Sequence, residues 1–392
     1  MNGTRFYFPT ELTVGCGCRE QYPEIARRYG KRVLLMTGKS SMRKAGTLKQ
    51  FLRTGSKNGL TIALQEGISM NPLASDADRF AKKAKKIAPD VIVGLGGGSV
   101  IDMVKAVALL VRRKGTARTY MNLPGRPAKP ITSAVCPFIA VPTTSGSGSE
   151  ATPFAVLTDD ETGLKKGMSS PFLYPKAALL DPEITALMPA DLTALSGFDA
   201  FSQAFEGYTS RKSTMISDSF ARESLRHIIG NLKRAVSNPK DLRAREKMSW
   251  GASLSGLCIG MVDVNLAHAM SHPLSSRYDL HHGLAVAQCI IPVIAFNAKY
   301  LITKYREIVS IFQGQCTDYG SKRQGNLKGI VSAWMDALRI KRGLKNYVNK
   351  EPDIPQLAND ALEIGAIRSN IRKVTRCDLE KLYRMAWNGK GL

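Results

Sequence analysis

The stretch 90–110, DVIVGLGGGSVIDMVKAVALL, decides the fold of this chain. It begins as a short apolar run, passes through the glycines Gly96, Gly97 and Gly98, and continues as an amphipathic helical pattern. A strand that enters a helix through a tight glycine turn is the repeating unit of parallel sheets covered by helices. The stretch therefore predicts one βα unit of an α/β domain.

The same alternation extends to both sides of this stretch. Short β-rich runs predict strands at 32–38, 61–67, 90–96 and 137–144, with further β segments at 154–159 and 176–183. Patterns with helical periodicity lie between the first four strands, at 41–55, 74–88 and 99–113. This order predicts an α/β nucleotide-binding domain over 1–182, with a Rossmann-like parallel sheet.

The character of the chain changes after this region. Long patterns at 3.6-residue spacing follow, with little strand signal, at 213–236, 240–260, 284–299 and 325–341. We therefore expect an all-helical domain over 183–392. A length of 392 residues agrees with two domains rather than one.

Composition indicates a cytoplasmic protein. The hydrophobic fraction is 44%, no apolar run reaches the roughly 18 residues of a membrane span, and the first residues lack the apolar core of a secretion signal. The seven cysteines are scattered without a CxxC pair, which fits a reducing compartment. We expect no membrane segment.

The net charge of +24 raises the question of nucleic-acid binding. The charge divides almost evenly, with +13 over 1–183 and +11 over 184–392, and no basic tail is present. A solvated basic surface is therefore the favoured interpretation, and a nucleic-acid-binding protein is the disfavoured alternative. An anionic substrate is a third way in which the charge could matter.

The glycine run predicts a phosphate-binding turn. Glycines let a phosphate approach the backbone, and the helix that follows directs N–H groups at it. Ser99 is a candidate N-cap with Asp102 three residues later, in a capping-box arrangement. The spacing is not G-x-G-x-x-G, and a tight βα turn alone also uses glycine.

A second nucleotide signal is VPTTSGSGSEAT at 141–152. It follows a predicted strand and is rich in hydroxyl groups. The candidates for hydrogen bonding to a nucleotide are Thr143, Thr144, Ser147 and Ser149. A polar turn without a ligand is the alternative.

Four of the five histidines lie within 266–285, LAHAMSHPLSSRYDLHHGLA. His268 and His272 are four residues apart and share one face of a helix, and His282 follows ten residues later. Asp199 and Gln203 show the same spacing in another helical segment. Imidazoles and a carboxylate that converge from several elements predict a transition-metal site. A structural pair with surface histidines is the alternative.

Together these motifs resemble the iron-containing (group III) alcohol dehydrogenases over nearly the whole chain. The motifs that carry the resemblance are GGGSVIDMVKA, PTTSGSGSEAT, TGLKKGMSSPFLYP, LLDPE, GFDAFSQAFEGY and HAMSHPLSSRYDLHHG. The resemblance implies an enzyme that interconverts an alcohol and an aldehyde or ketone with NAD or NADP. It also implies the two-domain organisation already expected.

The resemblance implies that Asp199, Gln203, His268 and His282 occupy the positions of the family's metal ligands. It places His272 beside the nicotinamide, in proton relay. Gln203 is a departure, because the family has histidine there, and an amide oxygen is a weaker ligand than imidazole. Three interpretations stay open. Iron or zinc could be bound by Asp199, His268 and His282 with Gln203 or water as the fourth ligand, the metal could be weakly bound, or the enzyme could be a metal-free reductase.

The turn after the first predicted strand bears on the choice of nucleotide. Relatives that prefer NAD often carry an acidic residue where this chain has Gly38. A carboxylate would repel the 2′-phosphate of NADP, whereas Gly38 followed by Lys39, Ser40 and Ser41 could accept it. We predict NADP, with NAD as the alternative if Gly38 serves only the turn.

The predicted function is therefore an NAD(P)-dependent alcohol dehydrogenase or aldehyde reductase acting on a small aldehyde or alcohol. An anionic substrate is one of the alternatives left open. A polyol-phosphate dehydrogenase and a dehydroquinate-synthase-like lyase share the scaffold. A catalytically inactive scaffold is a further alternative, motivated by Gln203. A homodimer is left open.

Overall fold

The computed structural model describes residues 4–123, 125–133, 135–315 and 326–389. The chain divides into two compact units, one formed by Tyr7–Met188 and one by Pro189–Leu392 together with Met1–Phe6. Residue 325, the first of the predicted helix 325–341, lies outside the described residues.

The first unit contains a six-stranded parallel sheet, as predicted, and a separate antiparallel hairpin. The strands are β1 Glu11–Val14, β2 Arg32–Gly38, β3 Thr61–Ile68, β4 Val91–Gly96, β5 Phe138–Pro142, β6 Phe154–Thr158, β7 Lys165–Ser169 and β8 Ala177–Leu180. The sheet has the order β1-β8-β5-β4-β2-β3, and β6 pairs with β7. The α/β fold class is confirmed.

Helices connect these strands. They are α1 Tyr22–Arg27, α2 Ser41–Lys44, α3 Thr47–Lys57, α4 Ala74–Ile87, α5 Gly98–Arg112, α6 Ala117–Tyr120 and α7 Pro182–Thr185. The predicted helix 41–55 is wrong in one respect, because it is broken into α2 and α3. Gly46, between them, has φ of 79°, a left-handed conformation that a continuous helix does not allow.

The central strands carry continuous apolar runs, Val33–Met36 in β2 and Val91–Val93 in β4, because both faces of the sheet are buried. Leu34 and Ile92 pack into one hydrophobic cluster, whereas Val33 and Val91, their neighbours in sequence, pack into another. Successive side chains of a strand point to opposite faces, so both alternating sets must be apolar. This burial explains why the strand runs were recognisable in the sequence.

The strand order creates a switch point between β2 and β4. The chain passes from β2 to β3 on one side and then returns to place β4 on the other side of β2. In parallel sheets, ligands bind beyond the carboxyl ends of strands at such a point. The turns that follow Gly38 and Gly96 therefore occupy the expected ligand-binding edge.

The second unit is helical in the residues described, in agreement with the prediction. Its helices are α8 Ala190–Thr209, α9 Met215–Ser237, α10 Leu242–Val262, α11 Leu266–Arg277, α12 His282–Asn297, α13 Ile302–Gln315, α14 Leu327–Ala337, α15 Ile354–Leu362 and α16 Arg376–Asn388. Trp334 is at the centre of the core, with ring centroids 4.9 Å from Phe201 and 5.5 Å from Phe198. This packing holds α8, which carries part of the candidate site.

One segment of this unit, His282–Tyr300, is long and apolar enough to span a membrane by length and composition. The bent pair Leu242–Val262 and Leu266–Arg277 passes the same test as a single broken segment. In His282–Tyr300, 72% of the apolar window is buried inside the unit. Its apolar character is therefore that of a core helix.

Candidate active site

The glycine turn forms a close-packed junction between β4 and α5. A Cβ atom on Gly96 would lie 2.4 Å from Cγ2 of Val100, and one on Gly98 would lie 2.4 Å from Oγ of Ser147. Both glycines are thus required by packing alone. The helix α5 begins at Gly98, so the backbone N–H groups of its first turn lie directly after the glycine turn. Phosphate binding by these N–H groups stays a prediction.

The two nucleotide-binding motifs meet at this junction. The backbone N–H of Thr143 donates to the carbonyl oxygen of Gly96 at 3.1 Å. The ideal Cβ position of Gly97 lies 3.1 Å from Oγ1 of Thr144. Because β4 and β5 are neighbours in register, the turns at their carboxyl ends lie side by side. The structure therefore brings together two motifs that are 45 residues apart in the sequence.

The predicted capping box is wrong. The N-cap of α5 is Gly97, without a side-chain hydrogen bond, and the hydroxyl of Ser99 donates to the carbonyl oxygen of Met70. The Asp102 carboxylate accepts instead from the Ser149 hydroxyl at 2.5 Å and from the backbone N–H of Val156 at 3.0 Å. Asp102 and Ser149 thus bind each other, and their contact with a cofactor stays a prediction.

Lys105 is a structural residue that sequence reasoning missed. Its ammonium group is fully buried and donates to the carbonyl oxygens of Ser149, Thr152 and Phe154 at 2.7, 3.0 and 2.7 Å. Burial lowers the pKa of Lys105 to about 8, although the Asp102 and Glu150 carboxylates oppose the shift. A lysine in an otherwise apolar stretch of helix was the available signal. Through these hydrogen bonds, Lys105 holds the second nucleotide-binding motif, 141–152, against α5.

The residues expected to select the nucleotide follow β2. Gly38 ends the strand, and a Cβ atom there would lie 3.7 Å from the carbonyl oxygen of Ile68, an ordinary contact distance. Lys39, Ser40 and Ser41 are exposed, and Ser41 begins α2. The position of Gly38 therefore has room for a side chain, so packing does not require the glycine.

Three of the predicted metal ligands form a cluster in the second unit. Asp199 lies on α8, His268 on α11 and His282 at the start of α12. One ligand atom from each lies within 4.8 Å of the other two. Oδ1 of Asp199 is 3.3 Å from Nε2 of His268 and 3.8 Å from Nε2 of His282.

The inner atoms of this cluster have no hydrogen-bond partner among the residues that the structure describes. Oδ1 of Asp199 and Nε2 of His268 are both buried and lie 3.3 Å apart. Buried polar atoms of this kind call for an explanation such as a bound ion. A carboxylate and two imidazoles are a common donor set for Fe²⁺ and Zn²⁺, so the cluster fits a divalent metal.

A second carboxylate, missed in the sequence, lies behind His268. Glu206 is fully buried on α8 and forms a short contact with Nδ1 of His268. Burial lowers the pKa of His268, but the carboxylates of Glu206 and Asp199 outweigh it and raise the pKa to about 10. The signal was present in the sequence, since Asp199, Gln203 and Glu206 recur at i, i+4 and i+7 on one helix face.

Gln203 lies beside the cluster, with its amide group already engaged. Nε2 donates to Oδ2 of Asp199 at 3.3 Å, and Oε1 accepts from the Ser255 hydroxyl at 2.9 Å. The atom that would bind a cation therefore faces Ser255. Gln203 as a fourth ligand stays a prediction.

The remaining histidines differ in their surroundings. His272 is half-buried, and its ring centroid lies 5.6 Å from that of His282, which places it at the edge of the cluster. His227 lies on α9 and pairs with Glu223 at 3.3 Å. The position of His272 is compatible with proton transfer, which stays a prediction.

Comparison with known proteins places the chain in a family. The model of iron-containing alcohol dehydrogenases matches residues 9–182, and that of the C-terminal region of the Fe-containing alcohol dehydrogenase family matches residues 193–387. The chain belongs to the iron-containing alcohol dehydrogenase family. It is an oxidoreductase of the class of alcohol dehydrogenases and aldehyde reductases, a family that implies NAD(P) and a divalent metal.

Individual relatives match over almost their whole length. Sulfoacetaldehyde reductase of Bilophila wadsworthia is 29% identical over 370 residues, covering 93% of this chain and 94% of the relative. NAD-dependent methanol dehydrogenase of Bacillus methanolicus is 27% identical over 385 residues, with 98% and 100% covered. The solved structure of an archaeal alcohol dehydrogenase from a Red Sea brine pool has a TM-score of 0.91 at 29% identity, with 98% and 100% covered.

Proposed function

We propose that this enzyme is a metal-dependent, NADPH-linked aldehyde reductase that acts on a small anionic aldehyde. The observation that carries the proposal is the cluster of buried Asp199, buried His268 and half-buried His282, with ligand atoms within 4.8 Å of one another. The metal would be iron or zinc, which would act as a Lewis acid on the substrate oxygen.

The chain supplies three of the groups that hold such a metal. Asp199 contributes charge, and His268 and His282 contribute imidazole nitrogens from two further helices. The amide of Gln203 donates to Oδ2 of Asp199, and with the amide in this position a fourth ligand would be water or the substrate oxygen. Ligation by the Gln203 oxygen would require the amide to leave both Ser255 and Asp199.

A bound nicotinamide would supply a hydride for the carbonyl carbon, and reduction would also need a proton for the carbonyl oxygen. We assign the supply of that proton to His272. Its location next to His282, outside the group of three ligand residues, supports this role. A positioned general acid of this kind contributes about 10²–10⁴-fold to the rate.

The nucleotide would bind at the carboxyl ends of β2, β4 and β5. Its pyrophosphate would contact the backbone of Gly97, Gly98 and Ser99, with Thr143, Thr144, Ser147 and Ser149 beside it. We propose NADP because Gly38 presents no carboxylate, and Lys39, Ser40 and Ser41 are exposed and able to meet a 2′-phosphate.

An anionic substrate is supported by two observations. The net charge of +24 raises the local concentration of anions. A relative with 94% of its length covered is a sulfoacetaldehyde reductase.

We also propose a cytoplasmic location. The scattered cysteines, of which those described are free thiols, support it.

A panel of aldehydes tests the proposal. Sulfoacetaldehyde, glyoxylate, propionaldehyde and lactaldehyde would be offered with NADPH and with NADH, and nicotinamide absorbance would be followed. We expect the highest kcat/KM for an anionic aldehyde with NADPH. A clear preference for the neutral aldehydes would contradict the substrate class, and full activity of metal-free enzyme would contradict the metal.

A further inference from the structure

A buried carboxylate outside the ligand group contacts His268, one of the proposed ligands. Glu206 has 0% exposure and lies on α8, two helical turns after Asp199. In the part of the chain that the structure describes, its ion-pair partner is His268 rather than a lysine or arginine. An acidic group this deeply buried is costly unless each oxygen is held by donors.

The donors come from the start of α11. Oε1 of Glu206 accepts from the backbone N–H of Ala267 at 2.5 Å and from that of His268 at 3.4 Å. The amide of Asn265, the N-cap residue, donates to the main-chain oxygen of Glu206 at 2.9 Å. An anion is favoured at a helix N-terminus, where N–H groups are free and the dipole is positive. Glu206 is therefore a fixed group that can only accept hydrogen bonds.

The other oxygen faces the imidazole of His268. Because Oε2 can only accept, Nδ1 of His268 must carry the hydrogen of this contact. The lone pair of the neutral ring is then on Nε2, the atom that faces Asp199. We propose that Glu206 is a positioning residue that fixes the ring of His268 and selects the tautomer in which Nε2 is free to bind the metal.

This inference rests on the proposed metal site and adds a residue to it. Metal-ligating histidines are commonly oriented in this way by a carboxylate, which also makes the ligand nitrogen more basic. Loss of such a partner lowers metal affinity by about 10–100-fold.

The sharpest variant is Glu206→Gln, which keeps the shape but removes one acceptor. If the amide oxygen stays on the N–H groups of Ala267 and His268, the NH₂ group faces Nδ1 and moves the ring hydrogen to Nε2, which blocks ligation. If the oxygen turns to Nδ1, the NH₂ group opposes the backbone donors. Either arrangement disfavours the metal-binding state.

Two further variants make the test specific. Glu206→Asp keeps the charge with a shorter reach, so its affinity should lie between those of the wild type and Glu206→Gln. Ser202→Ala is the matched control on the same helix, since the Ser202 hydroxyl is buried and, among the residues that the structure describes, bonds the helix carbonyl of Phe198. It should bind metal as the wild type does.

The experiment measures Zn²⁺ affinity of the full chain by competition with a chromophoric chelator, and the visible spectrum of the Co²⁺ form. We expect about 10–100-fold weaker Zn²⁺ binding in Glu206→Gln and an altered Co²⁺ spectrum, with NADPH binding unchanged. Should Glu206→Gln fail to fold, a Glu206→Asp variant with wild-type affinity and spectrum would overturn the role.

The outcomes separate the two proposals. If the wild type and Glu206→Gln bind Zn²⁺ equally well, the role of Glu206 is overturned, but the metal site is not. Wild type that binds neither Zn²⁺ nor Co²⁺ overturns the metal site and, with it, the role of Glu206.

Discussion

The side-chain amide nitrogen of Gln203 lies 3.3 Å from Oδ2 of Asp199 and donates a hydrogen bond to it. The amide oxygen of Gln203 is held by Ser255 on α10. The residue at the position of the family's second ligand thus supports the first ligand. The cluster therefore contains a carboxylate and two imidazoles, and the resemblance implies that the family has a third imidazole at the position of Gln203.

Gln203→His should strengthen metal binding, because imidazole is a better ligand for zinc and iron than an amide. We expect Zn²⁺ to bind about tenfold more tightly or better, equivalent to at least about 1.4 kcal/mol. The activity of the variant need not increase, because the native pocket is built around the glutamine amide and not around an imidazole. Chelator competition measures the change, and Gln203→Ala is the control. Equal affinity of the two variants would show that position 203 does not reach the metal.

Gly38→Asp should reverse the choice of nucleotide. The site accommodates a Cβ atom, and a carboxylate there would repel a 2′-phosphate. We expect the wild type to prefer NADPH by about tenfold or more, or about 1.4 kcal/mol, and the variant to prefer NADH. Fluorescence titration with both nucleotides measures this, with Gly38→Ala as the control for volume. A tenfold preference of the wild type for NADH would refute the assignment of residues 38–41 to binding of the 2′-phosphate.

His272→Ala should lower turnover by about 10²–10⁴-fold, the usual contribution of a general acid or base. Metal content should stay at the wild-type level, because His272 is not part of the ligand group. His227→Ala is the matched control, since His227 pairs with Glu223 outside the cluster. Loss of metal from His272→Ala would mean that His272 is a ligand and not the proton donor.

Asp263→Gly should stabilise the protein. Asp263 has φ of 65° and ψ of 167°, a region that is essentially restricted to glycine, and it precedes α11 by three residues. Burial raises the pKa of its carboxyl, although a hydrogen bond from the backbone N–H of Val264 and the charge of Lys212 oppose this shift. Relief of strain and of charge burial should add about 1 kcal/mol to the free energy of unfolding.

Chemical denaturation of the apoprotein at pH 8 measures this gain. Asp263→Ala removes the same carboxylate but keeps a Cβ atom, and it should gain less than Asp263→Gly. If the alanine variant gains as much, the backbone at position 263 is not strained.

The strands were predictable because burial on both faces leaves continuous apolar runs, as in β2 and β4, which the structure places at 32–38 and 91–96. The break between α2 and α3 was not predictable from periodicity, since Gly46 interrupts a pattern that remains helical on either side. A local sequence pattern predicts whether a segment is a helix or a strand more reliably than it predicts the residues at which the element begins and ends.

The sequence indicated a metal site because histidines and an aspartate recur at helical spacing, and the family resemblance then implied Asp199, Gln203, His268 and His282 as the ligands. Glu206 and Lys105 were missed because their partners are distant in sequence. Glu206 meets His268 across 62 residues, and Lys105 meets Phe154 across 49. The prediction of a capping box at Ser99 failed for the same reason. The Asp102 carboxylate accepts a hydrogen bond from Ser149, which is 47 residues away in the sequence.

Catalysis by this enzyme should require a metal held by Asp199, His268 and His282. The direct test is metal analysis and aldehyde reduction by wild type and His282→Ala, each as purified, after chelator treatment and after reloading with Zn²⁺ or Fe²⁺. We predict that chelation abolishes wild-type activity, that reloading restores it, and that His282→Ala retains neither metal nor turnover while NADPH binding stays within a few-fold of wild type. Chelator-treated wild type that contains no metal and keeps full activity would contradict the claim.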